Sequence, residues 1–162
     1  MLGNHGPSYF QRYPASFRHF LPACETPELG HCSREQIVNA YDNAVRYTDH
    51  VLAQAIARLR EVDDYDTALM YLSDHGESLG ENGLYLHGMP YLIAPQQQMQ
   101  VPMLMWFSPR FTADTGLDLS CLRDRAGQPA SHDNLFSTVL GMFDVRTSVH
   151  VPERDLLAAC RA

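Results

Sequence analysis

Five side chains that can bind a metal ion or move a proton, Glu81 among them, are concentrated in the glycine-rich run "SDHGESLGENGLYLHG" at residues 73–88. Asp74 and His75 are adjacent, Glu77 follows two positions later, and His87 lies near the end of the run. Carboxylate oxygens and imidazole nitrogens are good ligands for Zn²⁺, and the glycines allow the backbone to fold tightly around an ion or a phosphate group. The run therefore predicts a metal or phosphate site.

The Asp74–His75 pair cannot by itself complete a tetrahedral zinc site, which takes four ligands. Further ligands must come from elsewhere in the chain, and His5, His87 and Glu77 are candidates by residue type. The plainer alternative is that Asp74 only forms a turn and that His75 only hydrogen-bonds a carbonyl group. The dipeptide alone leaves both interpretations open.

The elements around this run are those of an α/β protein. The segment "TALMYLSD" at 67–74 is a continuous apolar run between an acidic turn and a glycine-rich loop, which predicts a buried strand of a parallel sheet. The segment "SREQ" at 33–36 is a capping box, and the apolar spacing after it predicts a helix to about Arg60. Functional groups in such sheets gather beyond the carboxyl ends of strands, where Asp74 and His75 fall.

The same patterns predict the rest of the chain. The run "VPMLMWFS" at 101–108 predicts a second strand, and a polar loop is expected at 109–130. Patterns of a cap followed by apolar residues predict helices at 131–143 and 152–161. Residues 1–32 are rich in glycine, proline and aromatic side chains, and they predict a long irregular loop.

Composition limits the classes of partner. The chain has 162 residues, of which 45% are hydrophobic, and this is enough for the core of one soluble domain. Its 12 basic and 19 acidic residues give a net charge of −7, which argues against nucleic acid or an anionic membrane as the general partner. Neither a membrane-spanning apolar run nor a signal peptide is visible in the sequence.

The four cysteines permit three pairings if all of them are oxidised. Cys24 and Cys32 bracket a short polar loop that can bring their Cα atoms within disulfide range. An even count suits an oxidising compartment, and reduced cytosolic thiols are the alternative. A zinc knuckle is disfavoured because the spacing of the cysteines does not match such a site.

The remaining histidines and the N-terminal aromatic residues are expected to be structural. Surface or structural positions are predicted for four of the other histidines, which lack the setting described above: His31, His50, His132 and His150. Aromatic side chains near the N-terminus could form a binding platform, but packing around the long loop is the favoured interpretation for Tyr9, Phe10, Tyr13 and Phe17.

Several segments together closely resemble the C-terminal part of the phosphoethanolamine–lipid A transferases, the family that includes the mobile colistin-resistance enzymes. The resemblance rests on "SDHGESLGENGLYLHG", "GNHGPSYFQRYP", "YDNAVRYTDHVL", "APQQQMQVPMLMWFS" and "DNLFSTVLG", and it extends from residue 2 to about 161. It implies the alkaline-phosphatase/sulfatase superfamily. The implied fold is an α/β/α sandwich with a mainly parallel central sheet, of which residues 1–162 form a single C-terminal portion.

The resemblance also implies a role for each candidate residue. In that family an Asp-His pair, a glutamate and a catalytic threonine hold a zinc ion, and Asp74 and His75 match the pair. His5 and His87 match two histidines that face the phosphate group or an additional zinc ion. Glu77 matches a glutamate for which a role in orienting the ligands is expected.

The same resemblance implies how the cysteines pair and in which compartment the protein lies. The Cys24–Cys32 loop matches a family disulfide, which favours the oxidising compartment. Cys121 and Cys160 could form a second bridge. The full-length enzyme is expected at the periplasmic face of the bacterial inner membrane, where it would confer polymyxin and colistin resistance.

The implied mechanism is a transfer in two steps. A zinc-activated threonine attacks the phosphorus of phosphatidylethanolamine and releases diacylglycerol, and the phosphothreonine then passes phosphoethanolamine to a lipid A phosphate. Histidines near the phosphate would stabilise its charge or protonate the leaving oxygen. Phosphatidylethanolamine is thus the expected donor, and lipid A the expected acceptor.

The chain departs from the family pattern in what it lacks. The family's N-terminal transmembrane helices, nucleophilic threonine and glutamate ligand have no counterpart in it, so we expect no transferase activity from the chain alone. One alternative is another member of the superfamily, such as a phosphoglycerol transferase, a sulfatase or a phosphodiesterase. The other is a non-catalytic fragment that binds a metal ion or phosphate.

Overall fold

The computed structural model describes residues 3–161. Its helices are α1 (Arg34–Arg60), α2 (Gln96–Met99), α3 (Pro109–Thr115), α4 (Leu119–Arg125) and α5 (Asp133–Met142), and its strands are β1 (Ala68–Leu72), β2 (Ser78–Leu79), β3 (Tyr85–Leu86) and β4 (Met103–Phe107). Strand β1 pairs with β4, and β2 pairs with β3 in antiparallel orientation. The order of the elements is mixed α/β, as the sequence predicts.

Helix α1 begins with the predicted capping box. The backbone N–H of Ser33 donates to Gln36 Oε1 at 2.8 Å, and the N–H of Gln36 donates to Ser33 Oγ at 3.2 Å. This reciprocal pair satisfies two of the N–H groups that the first turn leaves without partners. The helix then runs for 27 residues to the predicted end and buries Ile37 and Ala40. Within residues 3–161, no helix is both long and apolar enough to cross a lipid bilayer.

Strands β1 and β4 lie within the two predicted runs. The prediction of a buried strand is only partly right, because all five residues of β1 are half-buried. In the described part of the chain, β4 is the strand paired with β1. The loop that follows β1 carries Asp74 and His75, so the strand positions the pair as predicted.

The prediction of a polar loop at 109–130 is wrong, because this segment contains helices α3 and α4. The Ser108 hydroxyl accepts a hydrogen bond from the N–H of Phe111, and Pro109 occupies the first turn of α3. Asp118 caps α4 by accepting from the N–H groups of Ser120 and Cys121. Serine before proline, and aspartate at the cap, are signals for helix starts that outweigh the polar composition of the segment.

The prediction of a helix at 152–161 is also wrong, because the segment forms two 3₁₀ turns, Pro152–Arg154 and Ala158–Cys160. Side-chain oxygens accept hydrogen bonds from backbone N–H groups that would donate to carbonyl oxygens in a helix. The N–H of Leu156 donates to Thr138 Oγ1 at 3.0 Å, and the N–H of Leu157 donates to Asp155 Oδ1 at 2.9 Å. Buried side-chain acceptors therefore override the local helical pattern.

The described residues form two compact units. The first, called here the site unit, comprises 3–58 and 70–104, and the second, called the carboxyl unit, comprises 59–69 and 105–161. The core of the site unit consists of Tyr9, Ala23, Cys24, Ile37 and Ala40. The core of the carboxyl unit consists of Phe107, Phe111, Leu117, Leu157 and Cys160.

Each unit contains one disulfide bridge. Cys24 and Cys32 are bonded in the site unit, with Cα atoms 5.7 Å apart. Cys121 and Cys160 are bonded in the carboxyl unit, with Cα atoms 5.6 Å apart. The pairing implied for Cys24 and Cys32 is confirmed, and the second bridge forms as well.

Candidate metal and phosphate site

Three histidines from distant parts of the sequence meet in the site unit. His5 lies on the N-terminal loop, His75 follows β1, and His87 follows β3. The ring centroids of His75 and His87 are 4.0 Å apart in a stacked arrangement, and that of His5 lies 4.7 Å from His87 and 5.6 Å from His75. One ligand nitrogen from each ring lies within 4.8 Å of the others. The three imidazoles could therefore hold a metal ion together.

Hydrogen bonds indicate which nitrogen carries the proton in a neutral ring of His5 and of His75. His5 Nδ1 lies 2.7 Å from the carbonyl oxygen of Gly6, and His75 Nδ1 lies 3.0 Å from that of Gly76. A carbonyl oxygen can only accept, so each Nδ1 must be the donor. The lone pair of a neutral ring then sits on Nε2, which is the arrangement found in metal-bound histidines with an oriented ring.

Glu77 orients the third histidine. Its side chain is only 4% exposed, and its Oε1 lies 3.1 Å from His87 Nδ1. The N–H of Gly6 donates to the same oxygen at 3.1 Å, and the Tyr9 hydroxyl donates to Oε2 at 3.2 Å. One buried carboxylate thus joins the loop that carries His5 to the ring of His87. The orienting role that the resemblance implies for Glu77 stays a prediction.

Tyr9 is a part of the site that the sequence analysis assigned only to packing. Its ring is 1% exposed in the core, as expected, but its hydroxyl is a hydrogen-bond donor to Glu77. Burial, reinforced by the negative charge of Glu77, raises the pKa of Tyr9 far above its ordinary value. The phenol therefore keeps its proton and remains a donor. No spacing signal in the sequence relates Tyr9 to Glu77.

Asp74 lies beside the cluster of three imidazoles but is not one of the residues whose ligand atoms lie within 4.8 Å of one another. Its side chain is 91% exposed, and its Oδ2 lies 3.9 Å from His75 Nε2. Hydrogen bonding to backbone amides, chiefly its own, holds the pKa of Asp74 below its ordinary value, and the neighbouring imidazole of His75 adds to this. The carboxylate is therefore ionised at neutral pH and has open space around it. Its assignment as a metal ligand stays a prediction.

Two glycines allow the segments of the site to approach closely. A Cβ on Gly76 would lie 1.9 Å from the carbonyl oxygen of Gln97, and one on Gly6 would lie 2.6 Å from the side chain of Leu86. Each of these glycines directly follows a histidine of the cluster. Their lack of a side chain therefore lets His5 and His75 reach the same place.

A cavity of about 250 Å³ opens beside the cluster within the site unit. Its walls include His5, Asp74, His75 and Glu77, together with Tyr41 and Thr48 of α1. The hydroxyl of Thr48 donates to Asn4 Oδ1 at 2.9 Å, and the side chain of Thr48 is buried. The cavity has room for a phosphate-sized group next to the imidazoles.

The four histidines for which surface or structural positions are predicted occupy such positions. His31, His50 and His132 are exposed, and His150 is half-buried with its Nε2 3.3 Å from Asp155 Oδ2. Gln98 was missed by the sequence analysis. It is 7% exposed, and its backbone carbonyl accepts from the N–H of Gly76 at 3.0 Å. A buried glutamine in a polar run gives no periodic signal that could have revealed it.

Comparisons with known proteins identify the relatives of this chain. Residues 1–145 match the family described as Sulfatase. The phosphoethanolamine transferase EptA of Escherichia coli (strain K12) is 51% identical over 162 residues, which is 99% of this chain and 30% of the relative. The phosphatidylethanolamine transferase Mcr-1 of Escherichia coli is 44% identical over 145 residues, which is 89% of this chain and 25% of the relative.

A solved structure has the same fold. The integral membrane protein lipooligosaccharide phosphoethanolamine transferase A (EptA) from Neisseria meningitidis superposes with a TM-score of 0.96 at 47% identity, over 99% of this chain and 30% of that protein. The chain thus spans about a third or less of the length of the relatives that it matches here. The match confirms the predicted fold class. The chain belongs to the sulfatase family of the alkaline-phosphatase/sulfatase superfamily, and it is homologous to the phosphoethanolamine transferases.

Proposed function

We propose that the chain forms the histidine-rich part of the active site of a zinc-dependent phosphoethanolamine transferase. The whole enzyme would move phosphoethanolamine from phosphatidylethanolamine to a lipid A phosphate by way of a phosphothreonine. The observation that carries the proposal is the cluster of His5, His75 and His87, whose ligand nitrogens lie within 4.8 Å of one another. The names of the relatives, which are phosphoethanolamine and phosphatidylethanolamine transferases, support the reaction class.

The donor set suits zinc. Neutral imidazoles with Nδ1 engaged by an acceptor are typical zinc ligands, and a buried carboxylate that orients one of them is the usual support for such a ligand. His75 and Asp74 would hold the ion, and in the chain alone His5 and His87 would complete its ligands. In the whole enzyme, where the family's glutamate and threonine ligands would be present, His5 and His87 would face the phosphate or hold an additional ion. Bound zinc would supply Lewis-acid chemistry and lower the pKa of a hydroxyl nucleophile.

The residues of this chain would position and stabilise the phosphoryl group. The Nε2 atoms of His5 and His87 are free of the contacts made by Nδ1, and, when protonated, they can donate to phosphoryl oxygens. Either imidazole could then return a proton to the leaving oxygen. Glu77 would keep the ring of His87 in the correct orientation throughout.

The nucleophilic threonine would come from outside these 162 residues. Thr48 lines the cavity, but it is 6% exposed and its hydroxyl is bonded to Asn4. We therefore expect no phosphothreonine on the chain alone in a single-turnover assay with labelled phosphatidylethanolamine. Residues 1–162 would be one portion of a single catalytic domain at the periplasmic face of the inner membrane, a compartment that permits the two disulfides.

A chimera tests this proposal. The matching segment of Escherichia coli EptA would be replaced by this chain, and phosphoethanolamine on lipid A would be measured by mass spectrometry in cells that lack the native enzyme. We expect the chimera to modify lipid A, and we expect His75→Ala to abolish the modification. His150→Ala, in the carboxyl unit, is the control that should retain it. A chimera that is expressed and inserted but leaves lipid A unmodified would contradict the proposal.

A further inference from the structure

An apolar loop follows the histidine site directly in sequence. Three consecutive side chains at its tip are exposed to solvent: Tyr91 (86%), Leu92 (99%) and Ile93 (60%). Scattered apolar residues on a surface are ordinary, but a consecutive run with such exposure marks an interaction site. The loop, residues 89–95, is called here the apolar loop.

The tip of the apolar loop is a folded turn. The backbone N–H groups of Ile93 and Ala94 both donate to the carbonyl oxygen of Pro90, each at 2.9 Å. These bonds fix the backbone of the turn, and the side chains of Tyr91 and Leu92 remain exposed to solvent. The exposure of the tip therefore belongs to an ordered conformation of the loop.

The base of the apolar loop is attached to the histidine site. The N–H of Met89 donates to Gln98 Oε1 at 3.2 Å, and Gln98 Nε2 donates to Ser78 Oγ at 2.9 Å. The carbonyl of Gln98 accepts from the N–H of Gly76, which follows His75. Pro95 and Gln98 are buried, whereas the tip is not. A partner that holds the tip would thus be held close to the site.

The charge distribution indicates the kind of partner. Residues 82–109 contain no Asp, Glu, Lys or Arg, although the whole chain carries a net charge of −7. Protein interfaces usually surround an apolar centre with a polar and charged rim, and this segment offers no charged one. A lipid surface without net charge needs no charged partner. Tyrosine beside aliphatic side chains is the composition found at the boundary between headgroups and acyl chains.

We propose that the tip of the apolar loop inserts into the surface of a zwitterionic lipid bilayer. Tyr91 would lie at the level of the headgroups, and Leu92 and Ile93 would enter the acyl boundary. The inference deepens the proposed function, because a phospholipid donor would then meet the histidine site at the membrane surface. The Neisseria meningitidis relative is itself described as an integral membrane protein.

Vesicle flotation tests the proposal. The purified 162-residue chain would be mixed with phosphatidylcholine vesicles in the absence of zinc, and the floated fraction would give a partition coefficient. We expect the triple variant Tyr91→Ser, Leu92→Ser, Ile93→Ser to lower that coefficient by about tenfold or more, because each side chain contributes its apolar area. A matched variant in the carboxyl unit should partition like the parent chain: Phe136→Ser, Phe143→Ser, Val149→Ser, at positions that are 58%, 75% and 58% exposed.

Fluorescence gives the depth of insertion. Leu92→Trp should add emission that shifts to the blue on vesicle addition and is quenched by brominated acyl chains, beyond the signal of Trp106 measured in the parent chain. All substituted positions are exposed, and equal thermal midpoints would verify that the variants fold.

Three results would overturn the proposal. These are no partition of the parent chain, equal loss in both triple variants, and binding only to anionic vesicles. Because neither zinc nor substrate is present in this experiment, failure of the proposed transferase function would leave its outcome unchanged.

Discussion

Each unit of the protein buries one pair of a histidine and a carboxylate, and the two pairs have nearly the same geometry. In the site unit, His87 Nδ1 lies 3.1 Å from Glu77 Oε1, and the carboxylate side chain is 4% exposed. In the carboxyl unit, His150 Nε2 lies 3.3 Å from Asp155 Oδ2, and that side chain is 2% exposed. Among the described residues, only the first pair belongs to a cluster that could hold a metal ion.

The difference between the pairs lies in their neighbours. Glu77 also binds the backbone of Gly6, so the first pair brings a second histidine, His5, next to His87. Asp155 instead accepts from the N–H of Leu157, and it stabilises the packing of the final segment. A histidine–carboxylate pair therefore indicates chemistry only when other ligands surround the imidazole, and otherwise it is a structural contact.

Removing the carboxylates should have the largest effect on stability. Glu77→Ala leaves the N–H of Gly6, the Tyr9 hydroxyl and His87 Nδ1 without their buried acceptor, and we expect a loss of about 4 kcal/mol in the free energy of unfolding. Asp155→Ala leaves the N–H of Leu157 and the Nε2 of His150 without their buried partner, and we expect a loss of about 3 kcal/mol in the free energy of unfolding. Urea titration, monitored by circular dichroism, measures both losses in the free energy of unfolding.

The two substitutions should differ in metal binding. Glu77→Ala should weaken zinc affinity by about 10-fold to 100-fold, because the carboxylate orients a ligand. Asp155→Ala should leave the affinity unchanged wherever the chain remains folded. Equal weakening in both variants would show that the two pairs do not differ in function.

Glycine substitutions sharpen the same comparison with a smaller effect. A Cβ on Gly141 would lie 2.0 Å from Asp155 Oδ2, and one on Gly76 would lie 1.9 Å from the carbonyl oxygen of Gln97. We expect Gly76→Ala and Gly141→Ala each to cost about 2 kcal/mol. Gly141 lies in the last turn of helix α5, where alanine would otherwise stabilise the protein by up to about 1 kcal/mol, so the clash reverses the sign. Thermal melts measure both changes.

Gly127→Ala is the control for these substitutions, because a Cβ there meets no atom within 4 Å. Its melting temperature should stay close to that of the parent chain. A stabilised Gly141→Ala variant would mean that Asp155 can move aside, and the account of a fixed pair in the carboxyl unit would then be wrong.

The smallest effect concerns alkaline pH. Burial and Glu77 raise the pKa of Tyr9 above its unfolded value of about 10, so the folded state favours the neutral phenol. That contribution is fully present below about pH 10 and is lost as the pH rises from there towards the folded pKa. We expect Tyr9→Phe to cost about 1 kcal/mol at neutral pH and to flatten the decline above pH 10.

Tyr65→Phe serves as the matched control, because Tyr65 is 71% exposed and belongs to the carboxyl unit. Unfolding midpoints in urea between pH 8 and 11 give both profiles. If Tyr9→Phe declines as steeply as the parent chain, the Tyr9 hydroxyl does not contribute to the alkaline response.

The sequence predicted the elements whose signals are local. The capping box at Ser33 and Gln36, the long helix after it and the positions of the two strands all depend on neighbours within a few residues, and these are confirmed, although β1 is only half-buried. The same logic failed at 152–161, where Thr138 and Asp155 supply hydrogen-bond acceptors from outside the local pattern. Long-range side-chain contacts of this kind leave no trace in periodicity.

The candidate site follows the same rule. Residue type and the family resemblance identified His5, His75 and His87 as candidates, and the structure brings them together. The sequence predicts only a packing role for Tyr9, because its hydrogen bond to Glu77 joins residues that are 68 positions apart. Asp74, which the resemblance treats as a ligand, remains exposed beside the cluster.

The most direct test of the central claim is the zinc affinity of the purified chain, measured by competition with a chelator for the parent, His87→Ala and His150→Ala. Because part of a zinc site should supply about half of the roughly 10–16 kcal/mol of a complete one, we predict a dissociation constant of roughly micromolar to submillimolar. His87→Ala should weaken it at least about tenfold, and His150→Ala should leave it unchanged. No measurable binding, or equal affinity in the parent and His87→Ala, would contradict the claim that these imidazoles form a metal site.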